Sequence, residues 1–157
     1  MQESDAAALK SLIQQQPVAA LATLHKGEPA VSMVPYALMP NGKLVIHVSR
    51  LASHTQDMQT TPAVALLITA LLESAQTPLA LPRISIQGTA LPCLDNSPDY
   101  ATARSVYLAR FAEAEELFNF TDFSLIIIVP TSVRHVAGFG RARSLSPERF
   151  SAALTTI

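Results

Sequence analysis

The sequence predicts a mainly β fold with flanking helices, in which antiparallel strands curl into a closed or split barrel. Tight turns at Gly27 and at Asn41-Gly42 join three β-rich runs in the first third of the chain. Long β-branched runs return near the C-terminus, and the helical segments between them are short. A barrel is favoured over an open sheet because closure removes exposed strand edges.

The N-terminal part is predicted to be one amphipathic helix followed by an antiparallel meander. Residues 5–16 place their apolar side chains on one helical face, and Pro17 ends the segment. The three strands of the meander are predicted at residues 18–24, 30–38 and 44–48. Within the second strand, Pro35 lacks a backbone donor, which indicates an edge, a bulge or a position that faces a ligand.

The segment after the meander changes from a helical to an extended pattern. Ser53 and Gln56 form a capping-box pattern that predicts the start of a helix, and Pro62 ends that helix. Residues 63–69 are an uninterrupted apolar run. Such a run predicts a strand that is buried on both faces.

The C-terminal half is predicted to hold one long strand, short helices and two further strands. The alternating stretch 83–90 predicts the long strand, with Gly88 at a bend, after an aperiodic loop over 71–81. Ser97 as cap and Pro98 at the first position predict the start of a helix. The remaining predicted elements are a helix to about residue 110, a short helix over 112–118, strands over 124–129 and 133–137, a glycine turn over 138–141 and a last helix capped by residues 146–148.

The composition indicates a protein that buries part of its surface against another chain. The 157 residues are 49% hydrophobic and 15% charged, whereas soluble domains usually carry ~25% charged residues. An apolar dimer interface accounts for the difference, and so does a sequence that is simply rich in alanine and leucine. The net charge of −1 gives no field that would attract nucleic acid or an acidic membrane.

Cysteine content and hydropathy favour a cytoplasmic protein with no membrane partner. The single Cys93 excludes an intrachain disulfide and a cysteine-based metal cage, as is typical of a reducing compartment. The N-terminus is acidic and polar, unlike a secretory signal. The most apolar window, residues 63–72, is too short to cross a bilayer before Glu73.

The sequence contains no motif that is typical of catalysis without a cofactor. It holds no nucleophile–base motif, phosphate-binding P-loop or Rossmann fingerprint. The histidines stand at 25, 47, 54 and 135, without metal-ligand spacing, so no metal site is expected. His47 alternates with Ile46 and Val48, which is typical of a strand histidine satisfied by its neighbours. No catalytic residue is assigned, and chemistry is expected to come from a bound cofactor.

One stretch, residues 44–55, joins a β-branched strand to a helix start through polar residues. Those residues are Ser49, Arg50, His54 and Thr55. A cation, hydroxyls and helix-start amides together form a concave corner that can bind a phosphate. The alternative is that Ser53 only caps a helix and that Arg50 is a solvated surface residue.

Six segments, in the same order along the chain, resemble the FMN-binding split-barrel superfamily that includes pyridoxamine 5′-phosphate oxidase. The matching segments are residues 18–24, 32–36, 49–55, 83–88, 107–110 and 138–142. The resemblance is closest to the haem-utilisation (HugZ-type) branch. It implies a six-stranded antiparallel split β-barrel of the FMN-binding type, formed by residues 1–157 as a single domain without the C-terminal extension domain of longer members.

The resemblance also implies a homodimer with FMN at the subunit interface and a set of cofactor-binding residues. That set is Ser32, Met33, Val34, Pro35, Ser49, Arg50, His54, Thr55, Arg83 and Arg141. Residues 32–35 would run beneath the flavin ring and contact it through backbone groups. Residues 49–55 would hold the phosphate, with the shares of Arg50 and of the His54-Thr55 pair left open.

The two arginines outside this corner are assigned to the ring. Arg83 opens a strand that would reach toward the flavin of the partner subunit, where a positive charge stabilises reduced flavin. Arg141 follows a Gly-Phe-Gly turn and would project into the pocket. For both, a solvent-facing surface arginine is the alternative.

The function implied is an FMN-dependent oxidoreductase acting on a small-molecule substrate. One alternative is a haem-binding or haem-degrading protein on the same fold, and another is a non-catalytic flavin-binding protein. Vitamin B6 oxidase activity is the least favoured, because the C-terminal substrate-binding arm of that enzyme is not found in the sequence.

Overall fold

The computed structural model describes residues 2–73 and 77–155. Within these ranges the helices are α1 (Glu3–Gln15), α2 (Ser53–Thr60), α3 (Tyr100–Arg110) and α4 (Pro147–Thr155), with 3₁₀ segments at Pro78–Ala80 and Ala112–Asn119. The strands are β1 (Val18–His25), β2 (Glu28–Pro35), β3 (Ala37–Leu38), β4 (Leu44–Ser49), β5 (Ala63–Thr69), β6 (Arg83–Cys93), β7 (Phe123–Val136) and β8 (Ala142–Leu145). The predicted loop over 71–81 includes residues 74–76, which lie outside the described residues.

The strands form one antiparallel sheet that curls into a split, barrel-like shape. Its order is β2-β1-β5-β6-β7-β4-β3, with β8 paired to β7. Strand β2 at one edge ends at Pro35, and β3 at the other edge begins at Ala37. Because Tyr36 alone joins the two edges, the sheet must curl until they come close. The prediction of a mainly β, barrel-like fold with flanking helices is confirmed.

The expected six strands become six long strands and two short ones. The predicted strand over 30–38 divides into β2 and β3 because Pro35 ends the first of them. The short β8 pairs with β7 beyond the glycine turn, where no strand was predicted. The strands predicted on either side of Pro130 are a single strand, β7. Pro130 lies opposite Gly88 at a β-bulge, where a missing backbone donor is tolerated.

Helix α2 begins at Ser53 as predicted, but its predicted capping box is wrong, and so is the predicted start of α3. At α2 the N-cap is Ala52 and no side chain caps the helix, so Ser53 and Gln56 form no capping box. Helix α3 starts at Tyr100 rather than at Pro98. Before it, the chain turns twice through hydrogen bonds from the amide of Ser97 and from that of Tyr100. These turns delay the helical conformation.

The prediction that residues 63–69 are buried on both faces is also wrong. The strand β5 alternates between buried and more exposed residues, and Leu67 is 43% exposed. The physical reason is that only the inner face of this part of the sheet is packed. Its outer face is not covered by any helix in the described part of the chain.

Two apolar clusters stabilise the sheet from opposite sides. The inner cluster joins residues of distant strands, such as Leu21, Ile46 and Ile84, to Ile13 of α1 and Phe150 of α4. The outer cluster packs α3 and the second 3₁₀ segment against β4, β6 and β7. Helix α3 therefore covers one half of the outer face and leaves the β2-β1-β5 half open. None of the helices in the described ranges has the length and apolar character needed to cross a bilayer.

Candidate functional site

The corner between β4 and α2 lies beside the edge strand β2, where the curled sheet is not closed. Strand β4 ends at Ser49 and α2 begins at Ser53. The Thr55 hydroxyl is buried and donates to the Ser49 carbonyl over 2.7 Å, which fixes the corner. The amides of Ser53 and His54 donate to no group in the described structure. Free amides at the start of a helix can bind an anion.

His54 connects this corner to the edge strand β2. Its Nδ1 lies 3.1 Å from the Ser32 hydroxyl oxygen, at hydrogen-bond distance. Burial lowers the pKa of His54, and the nearby carboxylate of Asp57 opposes that shift. The ring is only half-buried, so a ligand at the edge of β2 can reach it. The structure thus brings together two predicted site residues, Ser32 and His54.

A buried carboxylate lies beneath the same turn of α2, and sequence reasoning missed it. Asp57 accepts hydrogen bonds from the Thr23 hydroxyl over 3.0 Å and pairs with His25 Nδ1 at 2.6 Å. The hydrogen bond from His25 holds the pKa of Asp57 below its usual range. The available signal was the i, i+3 spacing of His54 and Asp57, which places both on one helical face.

Ser49 and Arg50 have partners on the opposite side of the corner. The Ser49 hydroxyl donates to Asp122 Oδ2 over 3.1 Å, and Arg50 Nη2 donates to the carbonyl of Thr121. Both contacts tie the corner to the segment that leads into β7. Arg50 also lines a cavity of about 280 Å³ on the outer side of the sheet. The structure therefore does not bring the Arg50 guanidinium into the His54–Ser32 contact.

His47 in that cavity is the clearest departure from the sequence interpretation. Its ring stacks on Phe118 with 3.9 Å between the ring centroids. It makes no hydrogen bond in the described structure, and its Nδ1 is buried without a partner. Burial lowers the pKa of His47 to about 4. The interpretation as a satisfied strand histidine is therefore wrong, because its cross-strand and helix neighbours are aromatic or aliphatic.

Arg83 and Arg141 are the two remaining arginines of the predicted site. Arg83 begins β6, and Arg141 lies in the turn that follows β7. Arg83 donates to the carbonyls of Leu79 and Leu81, at 3.3 and 2.9 Å, beside the first 3₁₀ segment. It pairs in the sheet with Val136, which precedes the glycine turn that carries Arg141. Arg83 and the turn thus share one end of the sheet, separate from His54.

Arg141 is held by an acidic residue of α1. Its Nη2 donates to Asp5 Oδ1, and Arg143 Nε lies 3.5 Å from Asp5 Oδ2. Asp5 is buried, so the two guanidinium groups compensate its charge. Nearby His135 is buried with an unpartnered Nε2, and burial lowers its pKa. Within this chain, Arg141 fixes the position of α1.

The β2 residues predicted to contact the ligand through their backbone groups lie at the open edge of the sheet. Met33, Val34 and Pro35 pair only with β1, so the other side of the strand has no sheet partner among the described residues. Val34 points into the core, whereas Met33 is 61% exposed and its neighbour Val31 is 76% exposed. An edge strand with free backbone groups and exposed apolar side chains can accept a flat ligand.

Residues 6–137 match the sequence pattern of the family described as pyridoxamine 5′-phosphate oxidase. This match covers most of the chain, including the strands and the corner described above. The chain belongs to the pyridoxamine 5′-phosphate oxidase family. In the described ranges of this family member, no cluster of three or more His, Cys, Asp or Glu side chains is placed to hold a metal ion.

Named relatives of this family member include haem proteins. It is 38% identical over 118 residues to the non-canonical heme oxygenase HOZ, chloroplastic, of Arabidopsis thaliana, matching 75% of this chain and 35% of that protein. It is also similar to a heme binding protein from Mycobacterium smegmatis, with 30% identity and a TM-score of 0.85 over 97% of this chain and 62% of that one. The chain thus spans less than two thirds of these relatives.

A third similarity concerns the fold alone. The structure of HutZ, a heme storage protein from Vibrio cholerae, superposes with a TM-score of 0.71 at 23% identity, covering 78% of this chain and 87% of that one. At this identity the likeness supports the family fold and nothing finer.

Proposed function

We propose that this protein binds haem at the open edge of β2, beside the corner formed by β4 and α2. The observation that carries the proposal is the contact between His54 and Ser32, next to exposed Val31 and Met33. This contact lies between a corner with free helix-start amides and an apolar surface, and both features support the proposal. A porphyrin has the matching chemistry, since it combines a flat apolar ring with carboxylate tails.

Two sets of residues can contact such a ligand. The free amides at the start of α2 and the His54 ring can hold a carboxylate, because helix N-termini attract negative charge. Val31 and Met33 can pack against the ring and remove its surface and theirs from water. Bound haem supplies the redox-active iron. The names of HOZ and of the Mycobacterium smegmatis protein support this proposal, and HOZ extends it to haem degradation.

FMN binding, with oxidoreductase activity on a small molecule, is the second candidate. It is favoured by the unpaired backbone of β2, which can hydrogen-bond the polar edge of a flavin ring, and by the same corner for the phosphate. The family pattern supports it as well. The assignments of Arg83 and Arg141 to a partner subunit's ligand belong to this candidate and remain predictions.

For either ligand we propose a cytoplasmic homodimer with the ligand at the interface. The open outer face carries two rows of small and apolar residues across β2, β1 and β5. One row is Met33, Ala20 and Leu67, and the other is Val31, Ala22 and Ala65. A flat, largely apolar face of this kind is typical of a surface that another chain covers.

Parallel titrations with hemin and with FMN test the proposal. We expect a saturable Soret band with hemin, and loss of that band on adding ascorbate in air if haem is degraded. His54→Ala should weaken hemin binding by about tenfold, the size of one lost charge-assisted hydrogen bond. The exposed Arg149 of α4 gives the control, since Arg149→Ala should bind as the wild type does. Saturable FMN binding without hemin binding would select the second candidate, and binding of neither would exclude both.

A further inference from the structure

Helix α2 places His54 and Asp57 side by side above the inner face of the sheet. The two residues are one helical turn apart, and at this spacing their Cβ atoms lie about 5–6 Å from each other. His54 contacts Ser32 of β2, and Asp57 contacts Thr23 of β1. Ser32 pairs in the sheet with Leu21, two residues before Thr23, so the two contacts are neighbours on one face. The carboxylate of Asp57 is therefore close enough to act on the charge of the His54 ring.

The hydrogen-bond partners of the Asp57 carboxylate are not permanent cations. The carboxylate is buried and accepts from the Thr23 hydroxyl, and its other partner is the half-exposed ring of His25. A hydroxyl is neutral, and a histidine is charged only while it holds a second ring proton. The hydrogen bond from His25 still holds the pKa of Asp57 below its usual range, so the carboxylate is ionised at neutral pH. A buried anion of this kind favours a proton on a neighbouring imidazole.

The ring of His54 has one nitrogen that an anion can reach. Its Nδ1 lies 3.1 Å from the Ser32 hydroxyl oxygen. Its Nε2 makes no hydrogen bond with any described residue and is not enclosed by the protein. Burial lowers the pKa of His54 and the charge of Asp57 opposes that shift, so the ring of the ligand-free protein is neutral at pH 7.5. A second negative charge, placed at Nε2, would favour the protonated ring.

The other charged or titratable groups on the elements around His54 have contacts of their own. These groups are His25 at the end of β1, Lys26 in the turn that follows, Glu28 at the start of β2, Arg50 in the corner and Asp122 before β7. The first three lie at the tip of the β1-β2 hairpin. The last two are engaged across the corner, where Arg50 donates to the carbonyl of Thr121 and Asp122 accepts from Ser49. In the described structure, the charge that acts on the His54 ring is that of Asp57.

We propose that Asp57 is a positioning residue of the ligand site, which lets His54 take up a proton as an anionic group of the ligand binds at Nε2. The inference rests on the proposed function, because it takes the β2 edge beside α2 as the binding surface. The proton comes from solvent and stays on the imidazole, so no covalent bond to the ligand forms. Binding that takes up a proton becomes stronger as the pH falls, since the complex then holds more protons than the free protein.

Protein labelled with ¹⁵N-histidine shows the titration of His54 directly, and His54→Gln identifies its signals. Asp57→Asn removes the charge and keeps an acceptor for the Thr23 hydroxyl. We expect the midpoint of the His54 titration to fall by about one pH unit in this variant. Asp99→Asn, at an exposed position before α3, should leave the midpoint unchanged. Equal midpoints in Asp57→Asn and the wild type would overturn the proposal.

Sulfate serves as the probe for the anionic group, because its charge is constant between pH 6 and 8. In the wild type we expect an excess of sulfate to raise the His54 midpoint by about half a pH unit relative to chloride at equal ionic strength. The effect should be much smaller in Asp57→Asn. A His54 midpoint that does not respond to sulfate would overturn the proposal, even if hemin binds.

Calorimetry with hemin, in two buffers of different ionisation enthalpy, counts the protons taken up on binding. We expect the wild type to take up more protons than Asp57→Asn or His54→Gln, a comparison that cancels protons exchanged by hemin itself. The wild type should bind hemin about fivefold more tightly at pH 6.5 than at pH 8, and the two variants less than about twofold.

The results separate this inference from the proposed function. Hemin binding with equal proton uptake in the wild type and both variants would overturn the role of Asp57 and leave the proposed function standing. Absence of hemin and FMN binding, with sulfate still raising the His54 midpoint, would refute the proposed function and support the proton-linked anion site by itself.

Discussion

At the scale of single residues, the polar groups near α2 divide between two surfaces. His54 faces Ser32 at the edge of the sheet, whereas Arg50 faces Thr121 and the cavity that contains His47. Neighbours in sequence are thus assigned to different surfaces. The reason is the turn between β4 and α2, in which the side chains at positions 50 and 54 leave the backbone in different directions.

The contribution of Arg50 to the affinity for the FMN phosphate can be measured directly. Because its guanidinium already contacts Thr121, we expect Arg50→Ala to weaken FMN binding less than threefold, and His54→Ala by about tenfold. Isothermal titration of both variants with FMN checks this order. A larger loss in Arg50→Ala would place the phosphate near Arg50, as one interpretation of the sequence has it.

Acid should destabilise the protein through its buried histidines. The folded state holds the pKa of His47 at about 4, below the ~6.5 of an unfolded histidine. As the pH falls below 6.5 the unfolded chain binds the proton first, so stability is complete above that pH and is lost between 6.5 and 4. Linkage gives an upper limit of about 3 kcal/mol for His47.

Urea unfolding at pH 7 and at pH 4.5 measures this loss. His47→Phe should show a smaller difference between the two pH values than the wild type, because the variant has one fewer buried base. An unchanged difference would assign the acid sensitivity to other groups, such as His54 and His135, whose pKa values burial also lowers.

At the scale of elements, the long strands β6 and β7 depend on one glycine. A Cβ added to Gly88 would lie 2.8 Å from the carbonyl oxygen of Val129 and 2.9 Å from Ile128 Cγ2. The first of these atoms belongs to the backbone and cannot move without disturbing the sheet. The bulge between Gln87 and Gly88 therefore needs a residue without a side chain.

Gly88→Ala should lower the free energy of unfolding by about 2 kcal/mol, within the range for overpacked sites. Gly138→Ala is the matched control. No atom lies within 4 Å of its added Cβ, so its stability should stay within about 0.5 kcal/mol of the wild type. Chemical denaturation of the two variants makes the comparison, and equal stability would show that β7 can shift at the bulge.

At the largest scale, one half of the outer face of the sheet is uncovered in the described ranges. Helix α3 and the second 3₁₀ segment cover the outer face of β4 and β7, whereas the outer face of β2, β1 and β5 stays open. The low fraction of charged residues, 15%, agrees with such a face. Both features agree with the proposed homodimer, in which a second copy of the chain covers this face.

Met33→Glu should dissociate the proposed dimer, because it buries an unpaired charge in an apolar interface. Light scattering coupled to size exclusion should give twice the chain mass for the wild type and a single chain mass for the variant. Leu94→Glu, at a similarly exposed position beside the cavity that contains His47, should remain a dimer. A wild type that elutes as a monomer would refute the homodimer.

Features that depend on local backbone preferences could be predicted from the sequence. The hairpins at Gly27 and Asn41-Gly42, the bend at Gly88 and the Ser146 cap of the last helix all follow from backbone preferences of single residues. The prediction of a split barrel of this type came from the family resemblance, which the match over residues 6–137 confirms.

The surroundings of the polar residues depend on how distant segments pack, which the sequence does not show. The pairing of His54 with Ser32, the Asp57 cluster and the unsatisfied His47 each join residues that lie far apart in the sequence or depend on which face a helix covers. Sequence periodicity tells which side chains share a face, but it does not tell what packs on that face. The curl of the sheet brings the β2 edge beside α2 and so sets the first contact, whereas the packing of α2 on β1 and of the outer cluster on β4 sets the other two.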